Sequence, residues 1–103
     1  MKSRLEMLEE FVAQDPNDSF SRYALALELV KEARPEDAVI HLRELIARDQ
    51  NYVASYYQLG RLLARTGCIN EARDVYRKGI DVANSAGDQK TAAEINEAVE
   101  ALD

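Results

Sequence analysis

Apolar residues recur at intervals of three and four along almost the whole chain, and residues that stop a helix interrupt the pattern. The period predicts an all-α protein of about six helices. The first covers residues 2–14, with Leu5, Leu8, Phe11 and Val12 at helical spacing. Asp15-Pro16-Asn17-Asp18 breaks it, because proline cannot continue a helix and Asn and Asp favour turns. Asp18 or Ser19 caps the second, whose inner face is Tyr23, Leu25, Ala26 and Leu29. Ala33-Arg34-Pro35 ends it, and Pro35 suits the first turn of the third, followed by Glu36 and Asp37 where the helix dipole favours acids. The third carries Ala38, Val39, Leu42, Leu45 and Ile46 and ends near Asp49. The fourth, residues 52–66, buries Tyr56, Leu59, Gly60 and Leu63, and Gly67 supplies a left-handed closing residue. The fifth starts from Asn70 as its cap, uses Ala72, Val75, Tyr76, Gly79 and Ile80, and runs through Ala83 to Gly87-Asp88. The sixth, residues 88–102, has only a narrow stripe, Ala92, Ile95, Val99 and Leu102, opposite a row of acids, and reads as an end cap.

The same pattern repeats at a longer interval. Ala38 and Ala72, Leu25 and Leu59, Tyr23 and Tyr57, and Leu29 and Leu63 all stand 34 residues apart. Ile40 and Asp74 share the register without matching, as a surface pair does. A period of this length with small and apolar residues at fixed offsets marks a helix–turn–helix solenoid. Ala26 and Gly60 on the first helix of each unit, and Ala38 and Ala72 on the second, let paired backbones approach, while Tyr56, Leu59, Leu63 and Tyr76 fill the space between.

These residues resemble the tetratricopeptide repeat. The family pattern of an aromatic, then Leu-Gly, then a large residue is present as Tyr56-x2-Leu59-Gly60-x2-Leu63, followed by Gly67 and by Ala72-x3-Tyr76. A more degenerate copy precedes it: Arg22-x2-Leu25-Ala26-x2-Leu29, then Ala38-x3-Leu42, with Arg22 where the aromatic is expected. Gln50 and Asn84 stand where the closing proline often sits. Residues 1–103 then form a single domain: a half-repeat (1–18), two repeats (19–52 and 53–86) and a C-terminal capping helix (87–103). The resemblance implies a right-handed superhelical stack of antiparallel helix pairs, acting as a non-catalytic scaffold that binds a peptide or helix of a partner protein in a concave groove. Carried over by register, the groove positions are Phe20, Tyr23, Leu27 and Lys31, then Ala54, Tyr57, Gln58, Arg61 and Arg65. An aromatic-aliphatic floor beside a basic rim suits a peptide with an apolar side chain near a carboxylate. The alternative is that this surface, or an N-terminal edge exposing Leu5, Leu8 and Phe11, is covered by a second copy of the chain, making a homodimer or larger assembly. The clamp by which some family members hold chaperone C-termini is not matched, since Tyr23 and Leu27 replace its Lys and Asn.

Composition narrows the functional classes. With 47% apolar and 31% charged residues in 103, the chain fits one soluble domain. No apolar run reaches a membrane-spanning length, and Met1-Lys2-Ser3-Arg4-Leu5-Glu6 lacks the apolar core of a secretion signal. A single cysteine, Cys68, suits a reducing cytoplasm. The net charge is −6, concentrated toward the C-terminus, which argues against nucleic acid as a partner. Arg61, Arg65, Arg73, Arg77 and Lys78 are close in sequence but spread over different helix faces, among Glu71, Asp74 and Asp81. No catalytic or metal-binding set is present and no cofactor is expected. His41 reads as an outward, solvated residue and Cys68 as an unreactive thiol at a turn; the adjacent acids Glu9-Glu10 and Glu36-Asp37 point in different directions.

Overall fold

In a computed structural model of the protein, residues 1–102 are described; Asp103, last of the acids in the expected capping segment, lies outside them. The described residues form six α-helices and no strand: α1 (Arg4–Gln14), α2 (Ser19–Lys31), α3 (Pro35–Arg48), α4 (Val53–Arg65), α5 (Ile69–Ser85) and α6 (Gln89–Glu100). They divide into two compact units, Met1–Asp49 and Gln50–Asp103. In the first, α2 packs against both α1 and α3; in the second, α5 packs against both α4 and α6, and α6 touches α4 lightly.

The helix ends follow from local hydrogen bonding. Ser3 and Glu6 form a capping box, each side chain bonded to the other's backbone N–H. Asp18 caps α2 by accepting from the N–H and hydroxyl of Ser21, which holds its carboxyl below the usual range. Three helices end in the same Schellman turn. The N–H groups of Arg34, Cys68 and Asp88 return to the carbonyls of Leu29, Leu63 and Ala83 at 2.8–2.9 Å. The left-handed residues of these turns are Ala33 (φ +60°), Gly67 (φ +86°) and Gly87 (φ +75°). Ala33 and Gly67 share the 34-residue register, so the first repeat places an alanine where the second has a glycine. The turn also moves the start of α5. With Cys68 closing α4, the backbone is helical from Ile69, so Cys68 and not Asn70 is the N-cap residue; Asn70 instead accepts from Arg73 at 3.3 Å.

Packing in the second unit is reciprocal. A Cβ on Gly60 of α4 would collide with the ring of Tyr76 on α5, and a Cβ on Gly79 of α5 would stand 2.7 Å from Cβ of Tyr56 on α4. Each helix thus offers a glycine to the tyrosine of the other. Both tyrosines are buried, and the Tyr56 hydroxyl donates to the Gln50 carbonyl at 2.7 Å. Ile95 of α6 closes the far side of Gly79.

In the first unit the register brings Ala26 and Leu42 to the Gly60 and Tyr76 positions, and Leu45 and Arg22 to those of Gly79 and Tyr56. All four are buried. Arg22, only 7% exposed, does the work of the tyrosine: Nη2 donates to the Pro16 carbonyl at 3.1 Å, and Pro16 is the register partner of Gln50. Nη1 lies 3.2 Å from Nδ1 of His41, so the expectation of a solvated His41 is corrected: it is half-buried and drawn inward by the guanidinium. The N-terminal edge is corrected as well. Leu8 is buried with Val12, Leu5 is half-buried, and the large apolar side chains that α1 exposes are Met7 and Phe11. Arg4 Nε stands 3.4 Å from the buried Glu28 carboxylate, adding a polar tie between α1 and α2.

Two stability outcomes follow. Gly60→Leu should lower the unfolding free energy by about 1–3 kcal/mol, because the Tyr76 ring is already buried and overpacking outweighs the helix propensity gained. Ala33→Gly should raise it by about 0.5–1 kcal/mol: relief of left-handed backbone strain, roughly 1–2 kcal/mol, exceeds the roughly 0.4–1 kcal/mol of added unfolded-chain entropy. Urea unfolding midpoints check both.

Candidate protein-interaction faces

Side chains three, four and seven apart share one side of a helix, so the expected groove residues fall into two stripes, one in each unit. On α2 the stripe is Phe20, Tyr23, Leu27 and Lys31. Phe20 is 70% exposed and Leu27 39%, Lys31 is exposed, and Tyr23 is half-buried. The exposure of Phe20 is unusual for so large an apolar side chain one residue into a helix. Its neighbours Ser19 and Ser21 turn inward, Ser19 donating to Asp49 at 2.6 Å and Ser21 to Asp18, which fixes this first turn and leaves Phe20 facing out.

On α4 the stripe is Ala54, Tyr57, Gln58, Arg61 and Arg65. The first three are half-buried, and both arginines are exposed. The Arg61 guanidinium carbon lies 5.5 Å from the centre of the Tyr57 ring, within cation–π range. Tyr57 in turn meets Tyr76 with ring centres 6.3 Å apart and planes inclined at 38°. Burial pushes the Tyr76 hydroxyl up from its ordinary value; neighbouring Tyr57 adds to the shift and Arg61 opposes it.

Beside this chain of contacts is a cavity of about 320 Å³, lined by Arg61, Ala64 and Arg65 of α4, Tyr76 of α5, and Ala98, Ala101 and Leu102 at the C-terminal end of α6. Five of these lining residues, Ala64, Tyr76, Ala98, Ala101 and Leu102, were absent from the expected face. Tyr76 reads as core from sequence because one edge of its ring is. The Ala98-Ala101-Leu102 spacing of three and four was a legible signal, masked by the acids around it. The small side chains of Ala64, Ala98 and Ala101 leave the space open, and two guanidinium-bearing residues stand at its rim. Arg73 and Lys78, near in sequence, do not line the cavity.

The arrangement provides contact area and fixed positive charge, not a set of reacting groups. His41 and Cys68 fall in different units, Cys68 is exposed, and among the described residues no group of three or more His, Cys, Asp or Glu is placed to hold a metal ion. No helix of the described residues is long and apolar enough to cross a membrane.

Comparison with known proteins agrees with this architecture. Residues 1–79 match the tetratricopeptide repeat family. The chain is 25% identical over 99 residues to the TPR repeat-containing protein PA0015 of Pseudomonas aeruginosa, covering 96% of this chain and 94% of that protein. A tetratricopeptide repeat domain protein from Salinibacter ruber, solved by NMR, superposes with a TM-score of 0.82 at 39% identity, over 86% of this chain and 90% of its own. A protein from Bordetella parapertussis superposes with a TM-score of 0.83 at 27% identity, over 99% of this chain and 89% of its own.

Proposed function

We infer the function from the family to which this chain belongs, the tetratricopeptide repeat proteins, and from the α4 face, where two exposed arginines stand beside a pair of tyrosine rings. The fold is a protein–protein interaction scaffold. On this chain the principal contact surface is the α4 stripe with its adjoining cavity, and the ligand is a peptide or helix of a partner protein carrying an apolar side chain next to a carboxylate. The observation that carries this reading is the stacking of Arg61 on Tyr57 at the edge of a cavity with a second arginine on its rim. A guanidinium held against a ring is oriented before a ligand arrives, which lowers the entropy lost on binding and favours bidentate contact with a carboxylate. The exposed Phe20 and Leu27 of α2 supply a second, apolar contact area. The reading is non-catalytic and places the protein in a reducing cytoplasm.

A second reading, self-association, is favoured by a different observation. Met7, Phe11 and Phe20 of the first unit are 43%, 49% and 70% exposed. Sedimentation equilibrium with reductant present separates the two: a monomer at every concentration leaves these surfaces for another protein, whereas a reversible dimer makes the chain its own partner.

The double variant Tyr57→Ala, Arg61→Ala should lose capture of acidic-apolar peptides from a display library while keeping its helicity, with a somewhat lower unfolding midpoint from the lost Tyr57–Tyr76 contact. The affinity loss expected from removing an aromatic anchor and a charge-assisted pair is about 2–4 kcal/mol, roughly 30- to 1,000-fold. Unchanged binding in a folded double variant would move the site elsewhere.

A further inference from the structure

The most unusual feature outside the interaction faces is a guanidinium buried where the second repeat has a tyrosine. Arg22 keeps its charge at every accessible pH and has only donors to offer. Two of its nitrogens are bonded, to the Pro16 carbonyl and to His41 Nδ1, while the buried Nε has no hydrogen-bond partner. Neither bonded partner is an anion. The contact at 3.2 Å works only if Nδ1 accepts, which requires neutral His41 with its proton on Nε2. A protonated His41 would present N–H to N–H, with two positive charges side by side in a half-buried place.

We propose that Arg22 and His41 form an acid-sensitive latch, in which protonation of His41 removes the acceptor of a buried guanidinium and loosens α2 and α3 while the second unit is unaffected. The latch joins α3 to the first turns of α2 and, through the Pro16 carbonyl, to the turn between α1 and α2. The proposal concerns local stability and needs no ligand, so it stands apart from the reading of the α4 face.

The charges facing the latch come from all three helices. Arg22 of α2 opposes protonation of His41; Asp37 and Glu44 of α3 and Glu9 of α1 favour it. Desolvation is the largest influence and Arg22 the next, so His41 is held below its ordinary value of 6.5. Arg22 is itself shifted down by desolvation, and Arg48 adds to that shift while Glu44 opposes it. The sign is then fixed. The unfolded chain binds the proton more readily, so stability is complete above about pH 6.5 and is lost as pH falls through the lower folded value. In the second unit the same position is Tyr56, whose hydroxyl donates to a carbonyl, and the register partner of His41 is Val75, which does not titrate.

Because the chain has one histidine, its imidazole NMR signal is unambiguous. The test follows that signal by NMR and measures amide hydrogen exchange of the full chain at pH 7.5 and 5.5, corrected for intrinsic rates. The expected result is a His41 midpoint below 6.5, with opening of α2 and α3 amides rising on acidification by more than about threefold relative to α4 and α5. In His41→Gln, whose amide oxygen accepts from Arg22 without titrating, that relative rise should disappear. It should shrink but not vanish in Arg22→Tyr, which copies the second unit and removes the guanidinium while His41 keeps its burial. A midpoint at or above 6.5, an equal response of the two units, or a relative rise that persists in His41→Gln would each overturn the latch. The wild-type titration decides even where a variant fails to fold.

Discussion

The structure depends on how closely two antiparallel helices can approach. In the second unit the distance is set by a reciprocal exchange, with Gly60 receiving the Tyr76 ring and Gly79 receiving Tyr56. Neither glycine is there for backbone freedom, since both lie inside helices, where glycine costs roughly 1 kcal/mol relative to alanine. Two such residues persist because each makes room for a large aromatic from the facing helix, whose burial is worth more than the propensity lost. The arrangement of the α4 stripe follows from the same exchange. Tyr76, inserted over Gly60, turns one edge of its ring outward to Tyr57, which carries Arg61. Packing in the core thereby positions a cation on the surface.

The first unit solves the same problem with a different distribution of volume. Ala26 and Leu42 replace glycine and tyrosine, and at the second contact the sizes invert, with Leu45 in the glycine position and Arg22 in the tyrosine position. A long, thin guanidinium reaches the same carbonyl that a tyrosine hydroxyl would, preserving the turn before the helix. The cost is a buried charge without an anionic partner, which is why His41 is drawn into the structure as an acceptor. The substitution that makes this repeat look degenerate is the one that makes its stability responsive to protons.

Much of the fold was legible in the sequence, because helix stops and the 34-residue register are local signals. Every helix was expected within one or two residues of its observed bounds, and the left-handed closure at Gly67 was anticipated. What escaped was long-range or specific to one helix face. Asn70 is a good cap in isolation, but the closing turn of α4 had already fixed Cys68 in that role. His41 looked solvated because its partner is 19 residues away on another helix. Leu8 and Phe11 are three residues apart on α1 yet meet opposite fates, a difference that spacing alone does not resolve. The α4 stripe proposed for binding was read from register, but the cavity beside it needs α6, whose placement no periodicity specifies.

That placement also bears on what the face selects. The chain is acidic, and α6 contributes Glu94, Glu97 and Glu100, yet its residues lining the cavity are small and apolar. None of the residues lining the cavity is acidic. Under the proposed function a ligand would meet net negative charge first and attraction at the two arginines, so a strongly acidic partner would be slowed overall and a basic one repelled at the arginines. The partner proposed for this face would then carry one or two carboxylates beside an apolar side chain and little other charge. Selectivity of that kind comes from the contrast between the cavity and its surroundings more than from the strength of any single contact.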